Sequence, residues 1–420
     1  MSEPVVSEPV VSKSVAAPRK YDLYSQATKN DPHSVFAAMR RDDPVFCQAG
    51  LDGETMIWFL TRFEDVQAML QNAATFVRDP RNAHPEGAIL AMSGLEALLN
   101  NHMLNKDGSE HQRLRNLIGQ AFTPARVKNL RPRVQQIADE LIARVQADGQ
   151  MDFVADYAYQ LPTIVIAELL GIPSEDREHF KAWSSAVISP AFTDEQQAKA
   201  GQLLTEFVDY LRELFVKRRS TPRDDLVTAL LQAEESGERL SEGELFSTMV
   251  LLIVAGHETT VNLIGNALLS LLRQPETLQT LKDHPGQMGA ALEEFLRFES
   301  PVERALARWA ATDTVIHGHQ IRKGDIVMGI IGAANRDPER FTNPGQLEIT
   351  RESQRHLAFG HGLHYCIGAP LARLEGEIAL NTVLQRLPNI RLEMDASELI
   401  WQTAPMFRGL TALRVAWDTL

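Results

Sequence analysis

Between Ser241 and Pro275 the chain reads SEGELFSTMVLLIVAGHETTVNLIGNALLSLLRQP, and no other stretch restricts the fold as much. Ser241 with Glu244 three residues later makes a capping box, in which each side chain satisfies a backbone N–H left open by the first helical turn. With Pro275 closing the stretch, the spacing predicts a helix on the order of 50 Å long at 1.5 Å per residue. Apolar residues fall on nearly every side of its first half, whereas a surface helix carries one apolar stripe. Such a helix has to cross the interior of a large protein. Its apolar run MVLLIVAG (249–256) is too short to span a bilayer, so no membrane anchor is expected.

The middle of this helix breaks local rules. In AGHETT (255–260), Gly256 costs about 1 kcal/mol relative to alanine in a helix interior, and two adjacent threonines are poor helix formers. Glu258 adds the cost of desolvating a charge. Unfavourable choices gathered at one point of a buried helix mark a functional site. A helix–helix crossing that needs a small residue is the other explanation.

A second stretch, FGHGLHYCIG (359–368), holds Cys366, one of only two cysteines in 420 residues. Two cysteines give no disulfide framework, and a reduced, cytoplasmic protein is expected. Cys47, between PVF and QAG, reads as a packed thiol. Cys366 stands just before IGAPLARLEGEIALNTVLQRL, a helix with Pro370 in its first turn. Open backbone N–H groups and the positive end of the helix dipole stabilise a thiolate there. Gly360, Gly362 and Gly368 let backbone approach a flat or bulky group closely or take positive φ. Three chemistries compete. Zinc wants three or four ligands, and His361 with His364 make a poor set. A cysteine hydrolase would use His364 as its base. Haem-thiolate ligation needs one cysteine, glycines and cations for two propionates, and it uses the most of what the chain offers.

The remainder is mainly helical. Apolar residues recur at three- and four-residue steps in 63–72, 111–122, 127–146 and 199–219. Short β signals lie at MIWFLTR (56–62) and TVIHGHQIRKGDIVMGI (314–330), the latter broken by HGH and KGD turns. The first residues repeat SEPVV and are rich in Pro and Ser, so residues 1–20 are expected to be a disordered leader and residues 21–420 one domain. The net charge of −13 speaks against nucleic acid as the main ligand, because phosphate binding wants a basic surface. One stretch runs against this balance: Gln112–Ala138 has no Asp or Glu but carries Arg113, Arg115, Arg126, Lys128, Arg131 and Arg133. It is a candidate docking face for an acidic partner, or a solvated helix face.

These motifs together resemble those of a bacterial cytochrome P-450, and the resemblance extends over nearly all of residues 21–420. Phe359, Gly360, His364, Cys366 and Gly368 fall on the defining positions of the family's haem-binding loop. AGHETT matches the oxygen-activation segment of its long central helix, and EEFLR (293–297) supplies Glu294 and Arg297, a structural pair in the family. PERF (338–341) spells a signature for a third member, but its surroundings resemble the bacterial pattern in which that arginine comes later, at Arg351 rather than Arg340.

The resemblance implies the cytochrome P-450 fold, mainly α with a minor β-rich region, and haem b (iron protoporphyrin IX) with the Cys366 thiolate as axial ligand. It implies propionate partners at His111, Arg115, Arg308 and His364. It implies that Ala255 and Gly256 leave room for O2, and that Thr259 and Glu258 carry protons to it. The activity implied is insertion of one oxygen atom into a small, mostly apolar organic substrate, by hydroxylation or epoxidation. Ile89, Leu90, Val302, Leu306, Met406 and Phe407 are candidate substrate contacts by the same analogy. Electrons would come from a ferredoxin or flavodoxin-type donor with its reductase, since no flavin, nucleotide or iron–sulfur motif is present, and a monomer is expected. A haem-thiolate isomerase or gas sensor would share the loop with less need of Glu258 and Thr259. A cysteine hydrolase using Cys366 and His364 is the remote alternative.

Overall fold

The computed structural model describes residues 20–50, 52–84, 94–176, 179–180, 182–183, 186, 193–233, 237–352 and 355–419. The leader up to residue 19 and the candidate contacts Ile89 and Leu90 lie outside the described residues. Helices α1 (Gln26–Asn30) and α2 (Pro32–Asp42) lead into strands β1 (Val45–Ala49) and β2 (Met56–Leu60), then α3 (Phe63–Gln71) and β3 (Phe76–Val77). Next come α4 (Gly108–Ala121), α5 (Pro124–Asn129), α6 (Arg131–Val145), β4 (Gln150–Asp152), α7 (Gln160–Leu169) and α8 (Asp194–Ser220). The long helix is α9 (Glu242–Leu272), followed by α10 (Met288–Phe298). Strands β5 (Arg308–Ala310), β6 (Thr314–Ile316), β7 (His319–Ile321) and β8 (Ile326–Gly329) precede α11 (Ala369–Arg386), β9 (Arg391–Leu392) and β10 (Arg414–Ala416).

The central helix begins as its sequence requires. Ser241 Oγ accepts the Glu244 N–H, and the Glu244 carboxylate accepts the Ser241 N–H at 2.9 Å. It packs on α7, α10 and α11, and α11 packs in turn on α6. By length and composition α9 could cross a membrane, with a window of mean hydropathy 1.3, although its apolar run is short. That window is 72% buried inside the protein, however, so its apolar surface packs against neighbouring helices rather than lipid.

The larger sheet has the order β1-β2-β8-β5-β3. β2 and β8 run parallel, with Ile57 opposite Ile326, and the other pairs are antiparallel. The HGH signal is a two-residue turn between β6 and β7, where His317 and Gly318 take φ values of 46° and 82°. One periodic stretch divides. Residues 127–146 read as a single helix, but α5 ends at Asn129 and α6 starts at Arg131. Pro132 lacks the N–H that would continue the ladder to Lys128, and proline fits the first turn of α6, where that N–H is not needed.

Glu294, on α10, is a buried carboxylate answered from three directions. Arg297 Nε and Nη2 reach its two oxygens at 2.7 Å each. Arg351 Nε lies 3.2 Å from both, and the Glu348 N–H donates at 2.9 Å. Arg297 also donates to the carbonyls of Asn335, Pro344 and Gln346, so a single guanidinium gathers the irregular chain before the cysteine loop. Arg340 takes no part; it is exposed, with its guanidinium 5.1 Å from the Phe63 ring centroid.

A different carboxyl is left unanswered. Glu375 on α11 is 1% exposed, and its Oε2 has no hydrogen-bond partner among the described residues. Burial pushes it well above the ordinary glutamate range.

Two outcomes follow. Arg351→Ala strips a partner from a buried carboxylate and should destabilise by about 3–5 kcal/mol, whereas Arg340→Ala should cost less than about 1 kcal/mol. Denaturant titration of both variants distinguishes them, and equal losses would contradict the assignment. For Glu375 the folded-state pKa is raised, so its contribution to stability is present below the unfolded pKa and is lost as pH rises. Glu375→Gln should therefore gain stability relative to the parent chain as pH rises from 5 to 8. Thermal melts showing a pH-independent difference would contradict this.

Candidate active site

The cysteine loop is fixed by its backbone. The Cys366 N–H donates to the Phe359 carbonyl at 3.0 Å, and the Tyr365 N–H to that of Gly362 at 3.0 Å. Gly360 and Gly362 have φ of 71° and 72°, and a Cβ on Gly362 would lie 2.8 Å from the Leu70 carbonyl oxygen. Both facts demand glycine and seat the loop against the end of α3. Cys366 is exposed. Burial pushes the thiol up, opposed by hydrogen bonds from the Gly368 and Ala369 N–H groups and by the charges of Arg115 and Arg373. Those N–H groups belong to the cap and first residue of α11, the helix end that favours negative charge. Under the loop, the Arg373 guanidinium lies 4.5 Å from the Phe359 ring centroid and grips Glu293 at 2.7 and 2.8 Å. Burial alone would raise Glu293, but Arg373 and His356 outweigh it and bring it to about 2.

Beside the thiol, basic side chains converge from separate elements. His111 and Arg115 come from α4, Arg308 from β5 and His364 from the loop. The rings of His111 and His364 have centroids 4.2 Å apart. Burial, repulsion from His111 whenever it is protonated, and the positive charges of Arg308, Arg78 and Arg115 drive His364 down to about 2. Burial brings Arg308 to about 10, and burial with Arg308 beside it brings Arg78 to about 10. Both ring nitrogens of His111 and Nδ1 of His364 are buried without a partner among the described residues. The neighbouring acid, Asp107, is occupied by the N–H groups of Arg78 and Asp79 at 2.8 Å each and by Asn82 at 2.9 Å.

Arg78 and His102, whose Nδ1 is also buried and unpartnered, escape sequence reasoning. Neither stands in a recognisable spacing, and only the chain's return past Asn105 and Ala307 encloses Arg78.

Such a cluster wants an anion of more than one charge, and the thiol beside it wants a soft metal. The residues present therefore fit a haem with its two propionates. They fit the rival chemistries poorly. His364 is no general base at about 2. Among the described residues, no three of His, Cys, Asp and Glu gather as a metal cluster.

On the central helix the Thr259 hydroxyl donates to the Ala255 carbonyl at 2.7 Å and Thr260 to Gly256 at 3.2 Å. Ala255 is exposed to the cleft. A Cβ on Gly256 would meet Ile166 at 3.5 Å, an ordinary contact, so the crossing with α7 does not itself require glycine. Burial raises Glu258. His257, beside it, packs edge-on to Tyr159 at 4.5 Å, and burial lowers it to about 4.

Three candidate substrate residues come together. Val302 and Phe407 form an isolated antiparallel bridge, and the Met406 carbonyl accepts the Glu303 N–H at 2.8 Å. Leu306 is 36% exposed. The turn carrying Met406 and Phe407 is tied to the central helix just beyond Thr259. A Cβ on Gly409 would fall 1.8 Å from Asn262 Oδ1, and Asn266 Nδ2 donates to the Arg408 carbonyl at 2.9 Å.

The basic stretch is not a free positive face. Arg113 pairs with Glu244 and Glu238, Arg126 with Asp224, Arg131 with Glu377 and Arg133 with Glu168. The missing acids are supplied by other parts of the chain.

Comparison with known proteins agrees with this geometry. The family model described as cytochrome P450 matches residues 21–284 and 288–398. The chain is 40% identical over 391 residues to the polyketide biosynthesis cytochrome P450 PksS of Bacillus subtilis (strain 168), covering 92% of this chain and 96% of that protein. It is 40% identical to the vitamin D(3) 25-hydroxylase of Pseudonocardia autotrophica, covering 94% and 96%. Among solved structures, P450BioI in complex with an acyl carrier protein ligated to hexadec-9Z-enoic acid superposes with a TM-score of 0.85 at 36% identity, covering 94% of this chain and 99% of that one. The chain belongs to the cytochrome P450 family of haem-thiolate enzymes and is an oxidoreductase of the monooxygenase kind.

Proposed function

We propose that this chain inserts one oxygen atom of O2 into a small, mostly apolar organic molecule, by hydroxylation or epoxidation, with Cys366 as the axial ligand of haem b. The observation that carries the reading is the thiol held at a helix N-terminus beside a buried group of basic side chains, whose neighbouring acid among the described residues, Asp107, is already taken up by N–H donors. Bound haem would supply the reductive activation of dioxygen, which no side chain can perform.

The protein's own groups have distinct tasks. The Gly368 and Ala369 N–H groups favour the thiolate form of Cys366. His111, Arg115, Arg308 and His364, joined by Arg78 and His102, would take the two propionates as charge-assisted partners. The Thr259 hydroxyl rests on the Ala255 carbonyl, and a rotation about χ1 turns its proton into the cleft. Glu258 keeps its proton to higher pH than an exposed glutamate, which suits a relay that hands protons inward. Without that pair, an isomerase or gas sensor would be the better description. Val302, Leu306, Met406 and Phe407 supply an apolar wall.

Electrons would arrive from a ferredoxin or flavodoxin-type donor with its reductase, in the cytoplasm. Next to the cysteine loop, Leu363 and Tyr365 are 45% and 39% exposed. Leu363 lines a shallow depression together with Gln112, Arg115, Gly119 and Ile367. Because Arg113, Arg126, Arg131 and Arg133 are already paired with acids of this chain, shape and apolar contact should matter more there than net charge.

Thr259→Ala should keep haem uptake while product formed per electron pair falls by roughly tenfold or more, measured as product against reduced nicotinamide consumed through the donor chain. Unchanged coupling would overturn the role. With a ferredoxin donor, Leu363→Glu should slow reduction by about tenfold, whereas Arg113→Glu and added salt should each change it by less than about threefold. Stopped-flow reduction under carbon monoxide checks both, and the opposite ranking would return the docking site to the basic stretch.

A further inference from the structure

Lys29 lies far from the cysteine loop in sequence and is 1% exposed. A lysine is almost never fully buried unless specific acceptors hold it. Its ammonium donates to Glu303 Oε1 at 3.1 Å and to the Phe407 carbonyl at 3.1 Å. Its own carbonyl accepts from Arg408 Nη1 at 2.7 Å. One residue of the short helix α1 thus holds three residues of the two segments that carry Val302, Met406 and Phe407.

Backbone bonds also hold these segments, to β8 and the residues just after it through Ala305 N–H to the Gly329 carbonyl at 2.8 Å and Gly332 N–H to the Glu303 carbonyl at 3.0 Å, and to each other. They meet at one bridging pair, Val302 with Phe407. Around it, Met406 accepts N–H groups from Glu303 and Arg304 at 2.8 and 3.3 Å, and Arg408 N–H donates to Pro301 at 2.9 Å. Neither segment belongs to an extended ladder at these residues. The Asn266 bond from the central helix ties the turn at Arg408. Among the described residues, Lys29 alone bonds the Phe407 carbonyl and the Glu303 side chain at once, a side-chain tie across the two segments beside their backbone bonds.

We propose that Lys29 is a positioning residue for substrate selection, setting the pocket wall through the Phe407 carbonyl and Glu303. This rests on the reading that Met406, Phe407 and Val302 line the pocket. The charges around it show why its removal is tolerable. Lys29 and Arg304 share Glu303, with Arg304 Nη2 at 3.5 Å from Oε1, so loss of Lys29 leaves a one-to-one buried pair. The wall would then shift while the cysteine loop and its cations stay in place. Ligands small enough to avoid the wall should not sense the change, and long ones should.

The test titrates the haem-loaded enzyme with imidazole and with 1-dodecylimidazole, following the Soret shift. In Lys29→Met, imidazole affinity should hold within about twofold while dodecylimidazole weakens by about fivefold or more. Phe407→Ala, run alongside, should also weaken dodecylimidazole. If Phe407→Ala weakens it and Lys29→Met does not, Lys29 has no positioning role and the pocket reading stands. If Phe407→Ala has no effect, the pocket reading fails and the proposal fails with it. Equal weakening of both azoles in Lys29→Met would mark a general loss of structure and would also overturn the proposal. Should Lys29→Met not take up haem, Lys29→Gln is titrated in the same way with the same expected selectivity.

Discussion

Burying positive charge without a counter-ion is among the least favourable things a fold can do. Here Arg308 and Arg78 are nearly inaccessible, His111 is 1% exposed and His364 joins them. Among the described residues the acid that acts on them is Asp107, and it is engaged by backbone N–H groups. The elements that bring these side chains together are otherwise unrelated: α4, the edge of the sheet at β5, and the loop before α11. Their convergence makes sense around a ligand that carries two negative charges. It also agrees with the lowered pKa of both His111 and His364, where burial and the neighbouring positive charges disfavour an added proton and Asp107 offsets this only in part at His111.

The same economy shapes the two helices that flank the cleft. α11 presents its first N–H groups to the sulfur, and α10 beneath holds Glu294 and Glu293, which clamp Arg297, Arg351 and Arg373. The cysteine loop is therefore supported by charge pairs on the helices beneath it. Across from them the central helix carries its unfavourable residues at one point. Thr259 and Thr260 return their hydroxyls to helix carbonyls, Glu258 is half-buried, and Asn262 one turn on meets Gly409. The AGHETT segment and the candidate pocket wall are thus referenced to one helix.

Much of this was legible in the sequence where the signal is local. The capping box, the apolar faces of α9, the glycines of the cysteine loop and the i, i+3 pair Glu294–Arg297 depend on near neighbours. The choice of Arg351 over Arg340 could also be made from surrounding residues, and the geometry places Arg351 on Glu294. What escaped depends on distant partners. Pro132 ends a helix within an unbroken apolar period. Arg78 and His102 are enclosed only by the returning chain. The arginines between 113 and 133 look like free charge because their acids, Glu244, Asp224, Glu377 and Glu168, come from elsewhere. Short strands such as β5 and β10 are three residues long, too short for period-two alternation to announce them.

The central claim is that Cys366 binds haem iron as a thiolate, with the surrounding cations holding the propionates. The most direct measurement is the absorbance difference spectrum of the reduced protein with and without carbon monoxide. The expected result is the red-shifted Soret band of thiolate ligation, lost in Cys366→Ala. A Soret band of the histidine-ligated type in the parent chain, or a thiolate band that survives in Cys366→Ala, would contradict the account.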